Sequence, residues 1–215
     1  LTFLEKMETH LLNAQQPDAV AQAATWLRQG QLVAFPTDTV YGVGADAFNA
    51  AAIEMLYQAK QRPDEKGIPI LLADLADLDK VTQAVPRLVR RLMARFWPGP
   101  LTLIVPRHPE LPANISPNES IAVRIPDCDV ARDLIRAAGG AIAATSANQS
   151  GQPPAQTGVE ALAALDGLVT AVLDDGPTPG GIPSTIITFV DGTPRIIREG
   201  PITASDLALA EVSPA

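Results

Sequence analysis

FPTDTVYGVGADA, running from Phe35 to Ala47, decides how the chain is read, because Gly42, Gly44 and Ala47 fall at the G-x-G-x-x-A spacing of a dinucleotide-binding turn. That fingerprint works only where a buried strand runs into the first glycine and a helix starts at the last, so that pyrophosphate meets free helix N–H groups. Here the apolar run Leu32-Val33-Ala34-Phe35 stops at Pro36. Proline fixes φ and lacks an N–H, so the segment reads as a strand ending before Thr37, then a polar loop from Thr37 to Asn49. The glycines then serve a tight turn, and Thr37, Asp38, Thr39 and Tyr41 are placed to hold a small polar ligand.

Outward from this stretch, helices and strands alternate. Asp18 is a cap for a helix carrying Val20, Ala23, Ala24 and Leu27, with Gly30 to end it. Asn49 caps the next helix, whose stripe Ile53, Leu56 and Tyr57 continues at Lys60, so Lys60 extends the inward face. Strands are expected over Gly67 to Leu72, Leu101 to Val105, Ile121 to Ile125, Ala141 to Ala144 and Leu168 to Leu173. Pro86 opens a helix that Trp97-Pro98-Gly99-Pro100 breaks, Asp127 or Asp129 begins another, and Thr157 with Glu160 forms a capping box. Ser184 to Val190 and Arg195 to Arg198 flank Asp191-Gly192, a hairpin signal, and a short helix follows Thr203. The fold class is therefore α/β: one domain over residues 1–215 (core about 16–210), with a twisted mixed sheet and flanking helices.

At 215 residues such a domain buries roughly 70% of its unfolded surface and needs no disulfides. Cys128 is the single cysteine, and no apolar stretch reaches the ~18 residues of a membrane span, so the expected setting is the cytoplasm, with no membrane partner. A net charge of −8 argues against broad nucleic-acid binding while leaving room for a local basic pocket. His10 and His108 have no ligand pattern around them, so no dedicated metal site is expected and any metal arrives with a substrate.

PTDTVYG, TSANQSG and GGIPST each emerge from the end of an apolar strand, where open α/β sheets bind ligands. Lys60 and Arg62 either meet the negative end of a helix dipole or hold a polyphosphate, lysine as a point charge and arginine as a planar fork. Arg124, alternating with Ile121, Val123 and Ile125, marks either an exposed strand face or a carboxylate clamp, and Arg198 closes the last strand. Neither histidine lies near a candidate serine, so the pattern points to positioning and electrostatic stabilisation of an anionic reaction rather than covalent catalysis.

In this order, FPTDTVYGVG, the K-x-R of Lys60 and Arg62, WPGPLTLIV, IAVRIP, the S-x-N of Ser146 and Asn148, PST at Ser184 and IIREG closely resemble the YrdC/TsaC threonylcarbamoyl-AMP synthases, from Leu32 to Pro201. The resemblance implies a concave basic pocket and a nucleotidyl transfer joining L-threonine, bicarbonate or CO2 and Mg2+-bound ATP into threonylcarbamoyl-AMP and pyrophosphate. A separate transferase machinery would use that product to modify adenosine beside the tRNA anticodon. Carried over, Lys60, Arg62, Ser120, Ser146, Asn148 and Arg198 fall on the ATP side, with Lys60 and Arg62 catalytic. Thr37, Arg124, the Ala144 backbone and Ser184 fall on the L-threonine side. Removing Lys60 should then cost turnover and hardly any stability. Two positions depart from the family: Ala73 stands where many members have a substrate-contacting histidine, and Pro154 where many have a serine. The chain reads as the short, single-domain form. Competing readings are a YciO-type paralogue, an RNA-binding module of the same fold in which tRNA or double-stranded RNA contact is weak or indirect, and the carbamoyl-transfer module of hydrogenase maturation proteins.

Overall fold

The computed structural model describes residues 8–63, 65–190 and 192–212. Among them ten strands form one sheet: β1 (His10–Asn13), β2 (Val33–Phe35), β3 (Gly42–Asp46), β4 (Ile70–Leu72), β5 (Leu101–Pro106), β6 (Ser120–Arg124), β7 (Ala141–Ser146), β8 (Ala171–Asp174), β9 (Thr185–Val190) and β10 (Thr193–Arg198). Six α-helices flank it: α1 (Ala19–Arg28), α2 (Ala50–Lys60), α3 (Arg87–Phe96), α4 (Asp129–Ala138), α5 (Gly158–Leu165) and α6 (Ala204–Val212). The strand order is β1-β8-β2-β3-β7-β4-β6-β5-β9-β10. Parallel pairs (β1 with β8, β4 with β6, β5 with β9) mix with antiparallel ones (β2 with β3, β3 with β7, β9 with β10), so the sheet is mixed, as expected.

Alternation along the strands sorts side chains onto two faces. Leu101, Leu103 and Val105 of β5, Ile121 and Val123 of β6 and Ile70 and Leu72 of β4 join one core, covered by residues of α2, α3, α5 and α6 such as Leu56, Leu92, Leu165 and Leu207. The other face is covered only in part. There α1 (Ala23, Ala24, Leu27) and α4 (Ala131, Leu134, Ile135) pack against Val33, Phe35, Ile142 and Ala144. The same face of β5, β6, β9 and β10 presents Thr102, Ile104, Ala122, Arg124, Ile186 and Arg198 to a cavity instead of to a helix.

The segment from Thr37 to Asn49 is corrected. It is not one loop: β3 runs through its middle, paired on both sides with β2 and β7. Turn-rich composition hid the strand, and its two glycines do not turn the chain. A Cβ on Gly44 would lie 3.0 Å from Phe35 Cε1 and 3.1 Å from Ile142 Cδ1, and one on Gly42 would lie 3.3 Å from Phe35 Cζ. The glycines are therefore the floor on which the Phe35 ring lies, a close-approach role in a strand.

Helix ends differ in smaller ways. Asn49 caps α2 through bonds from the N–H groups of Ala51 and Ala52, and Thr157 caps α5 through Glu160 N. Glu160 completes no box with Thr157; its carboxylate accepts from Gln156 N at 2.7 Å. Asp18 sits at the start of α1 with φ 69° and no side-chain cap bond, while α4 begins at Asp129, one of the two expected starts. β1 was not expected from the sequence. The hairpin between β9 and β10 forms, while Asp191 of its turn signal lies outside the described residues.

Candidate active site

The uncovered half-face holds a cavity of about 460 Å3. Of the residues singled out from the sequence, Thr37, Arg62, Ser120, Arg124, Ala144, Ser146, Ser184 and Arg198 line it. Among the described residues the lining carries three arginines and a single carboxylate, Glu65.

Arg124 projects from the end of β6 and is 5% exposed. Its Nη2 meets Asp38 Oδ1 at 2.5 Å, Nη1 donates to Thr39 Oγ1 at 3.0 Å, and Nε to Gly99 O at 2.9 Å. Burial pulls the guanidinium below its ordinary value, and the Asp38 charge pulls it back. Thr37 builds the adjoining turn: its hydroxyl donates to Val40 O at 2.6 Å and accepts from the N–H groups of Thr39 and Val40. The result is a rigid wall with fixed donors, suited to a small zwitterion's carboxylate.

Further along the same sheet, at β10, a bulge matters. Ile196 pairs with Ile187 and Arg198 with Ile186, so Ile197 is an extra residue in β10. Strict alternation would put Arg198 on the same face as Ile196, which packs on the core; the bulge turns it to the cavity. There Nε and Nη2 hold Ser184 O at 3.0 and 2.8 Å, and Nη2 reaches Ser184 Oγ at 3.0 Å. Ser184 Oγ in turn lies 2.7 Å from Thr102 Oγ1. Arg62 is held by the carbonyls of Lys66 and Gly67 at 2.9 and 2.8 Å. Burial lowers both guanidiniums, and the charges of Arg124 and Arg62 lower Arg198 further, which places all three within one electrostatic neighbourhood. Among the described residues, no carboxylate pairs with Arg62 or Arg198. Two guanidiniums without a carboxylate partner among the described residues give this part of the cavity a positive potential.

Other residues singled out from the sequence lie off the cavity wall or turn away from it. Lys60 and Asn148 are not on the cavity wall. The helical stripe does aim Lys60 inward, to 2% exposure, but its ammonium is captured by Ser146 O, Asn148 O and Asn148 Oδ1 beneath that wall. Tyr41 contributes to the lining, yet its hydroxyl turns away, donating to Asp174 Oδ1 at 3.0 Å and Gly176 O at 2.7 Å. Ala73 lies in the core beside α1 and α4, not at the cavity, and Pro154 is not on the wall either. Sequence reasoning missed Thr102, a polar residue among apolar ones in LTLIV and 3% exposed, and Asn118, whose Oδ1 accepts from Ser120 Oγ at 2.7 Å. The alternation of β5 was the available signal for Thr102; nothing marked Asn118.

The fold and site define an α/β protein with an arginine-lined cavity on the open half of a mixed sheet. The chain belongs to the Sua5/YciO/YrdC family, whose model, described as telomere recombination, matches residues 25–200. It is 41% identical over 201 residues to the threonylcarbamoyl-AMP synthase of Bacillus subtilis, covering 93% of this chain and 58% of that protein. The crystal structure of Pyrococcus abyssi Sua5 complexed with L-threonine superposes with a TM-score of 0.89 at 32% identity, over 94% of this chain and 60% of that one. Escherichia coli YciO gives a TM-score of 0.78 at 26% identity, over 92% of this chain and 97% of its own. The chain thus spans less than two thirds of the B. subtilis and P. abyssi proteins. Among the described residues, no helix is long and apolar enough to cross a membrane.

Proposed function

We propose that the chain is a threonylcarbamoyl-AMP synthase, condensing L-threonine, bicarbonate-derived CO2 and ATP. The observation that carries this reading is a single cavity with one charge-balanced arginine, Arg124, and two unbalanced ones, Arg62 and Arg198. A zwitterionic amino acid fits the first wall and a polyphosphate the second. The name of the B. subtilis relative and the threonine bound by P. abyssi Sua5 support the pairing.

In the reaction, the threonine amine loses a proton and bonds to CO2, giving a carbamate. A carbamate oxygen then attacks the α-phosphorus, and the bond to the bridging oxygen breaks to release pyrophosphate. Both partners are anions, so the fixed guanidiniums lower the cost of their approach and stabilise the charge on the leaving group. Ser146 and Ser120 offer hydroxyls to the nucleotide, Thr37 and the Ala144 backbone surround the amino acid, and Ser184, bonded to Arg198 and Thr102, stands between the two. Mg2+ would enter together with ATP and would offset part of the phosphate charge. The product is a reactive mixed anhydride, and a separate transferase would consume it on tRNA.

The test is pyrophosphate release from MgATP and bicarbonate with and without L-threonine. Release that needs both threonine and bicarbonate is expected. Threonine-independent hydrolysis to ADP and phosphate would exclude adenylyl transfer, and no turnover at all would favour a YciO-like protein that keeps the fold.

A further inference from the structure

Lys60 and Arg62 stand two residues apart yet serve different surfaces. Lys60 is the last residue of α2; Gln61 then takes the left-handed conformation (φ 49°), and Arg62 leaves the helix toward the cavity. A lysine ammonium has three N–H donors. All three oxygens that Lys60 meets, Ser146 O at the end of β7 and Asn148 O and Oδ1 in the turn that follows, take up its donors, so none is left over for a substrate. The same turn is tied to α2 again: Ser150 N donates to Lys60 O at 3.1 Å, and Gln149 Nε2 to Ala59 O at 3.2 Å. Asn148 locks it internally through Nδ2 bonds to Gln149 O and Gln152 O at 2.9 and 2.6 Å. Ser146 therefore has two sides, one on the cavity and a carbonyl pinned to Lys60.

We infer that Lys60 is a positioning residue: its buried ammonium gathers the carbonyls of the Ser146–Asn148 turn and thereby shapes the nucleotide wall, while Arg62 meets the substrate's anion. The nucleotide comes from the function proposed above; the placement of Lys60 does not depend on it. Burial, and secondly the Arg62 charge, lower the lysine to about 8, so the ammonium is still the main form at neutral pH.

Hydrogen exchange of the ligand-free protein reads this directly. Lys60→Met should raise exchange across residues 146–152 at least tenfold, whereas Arg62→Met should leave that segment within twofold of the parent. Kinetically, Lys60→Met should raise the ATP KM at least tenfold with the threonine KM within threefold, a split that a general loss of folded protein does not produce. Should Lys60→Met fail to fold, acetic anhydride labelling of the unmodified protein decides: Lys60 should react at least ten times more slowly than the exposed Lys66. Unchanged exchange at 146–152 in a folded Lys60→Met protein, or labelling of Lys60 as fast as Lys66, overturns the inference. Absence of pyrophosphate release would sink the synthase reading and leave the exchange and labelling results standing.

Discussion

Arg124 and Arg198 reach one cavity from β6 and β10 of the same sheet, and among the described residues only Arg124 is paired with a carboxylate. Its guanidinium is locked by Asp38, Thr39 and Gly99, all fixed by the fold. Among the described residues Arg198 is held by Ser184, through a carbonyl and a hydroxyl, and the charges of Arg124 and Arg62 bear on it. The first wall is complete without ligand; the second carries charge that a ligand must balance. Stability should therefore reside in one arginine and affinity for anions in the other.

Replacing Arg124 is expected to give the largest effect. Arg124→Met leaves Asp38, whose side chain is 11% exposed, without its ion partner, a loss of about 3–5 kcal/mol for a buried pair broken on one side. The thermal midpoint should fall by roughly 10 °C or more, and Asp38→Asn added to Arg124→Met should recover part of it. A midpoint within 2–3 °C of the parent, on the order of 1 kcal/mol for a domain of this size, would break the comparison. Next, Arg198→Met should leave the midpoint nearly unchanged while weakening ATP binding about ten- to a hundredfold by calorimetry, the ~1.5–3 kcal/mol of a charge-assisted contact. Threonine affinity should move less. Equal losses for both ligands would mean that the walls are not separate.

Ionic strength should give the smallest effect. Raising salt from about 0.05 to 0.5 M shortens the screening length severalfold. ATP binding should weaken several-fold, while threonine binding, resting on a buried and paired guanidinium, should change by less than twofold. Parallel weakening would indicate that the Arg124 charge also reaches solvent.

Much of this architecture was legible in the sequence, and the parts that were not share a cause. α2 could be read from Asn49, its apolar stripe and Pro63 because each signal acts within a few residues. Arg124 stood out from the alternation of IAVRI. Its partner Asp38 lies 86 residues away, and no local pattern connects them. β3 was hidden because Gly42 and Gly44 look like turn residues until the Phe35 ring is seen to occupy their missing side chains. Lys60 was aimed correctly, but backbone carbonyls have no identity in a sequence, so its capture by Ser146 and Asn148 could not be read. β1, four mostly exposed residues at the sheet edge, has too little burial to leave an apolar pattern.

The parallel pairing of β5 with β9 brings the final hairpin back beside the middle of the chain, where it supplies Ser184 and Arg198 to a cavity that opens with Thr37. During synthesis the earlier strands can pair while Ser184 and Arg198 are still inside the ribosome, since domains emerge from the N-terminus onward. A nascent or truncated chain ending before residue 184 therefore lacks Arg198. Capture of the polyphosphate proposed above should then mark a chain translated and folded through its last strand, so that ligand-induced protection reports completion of the fold in time.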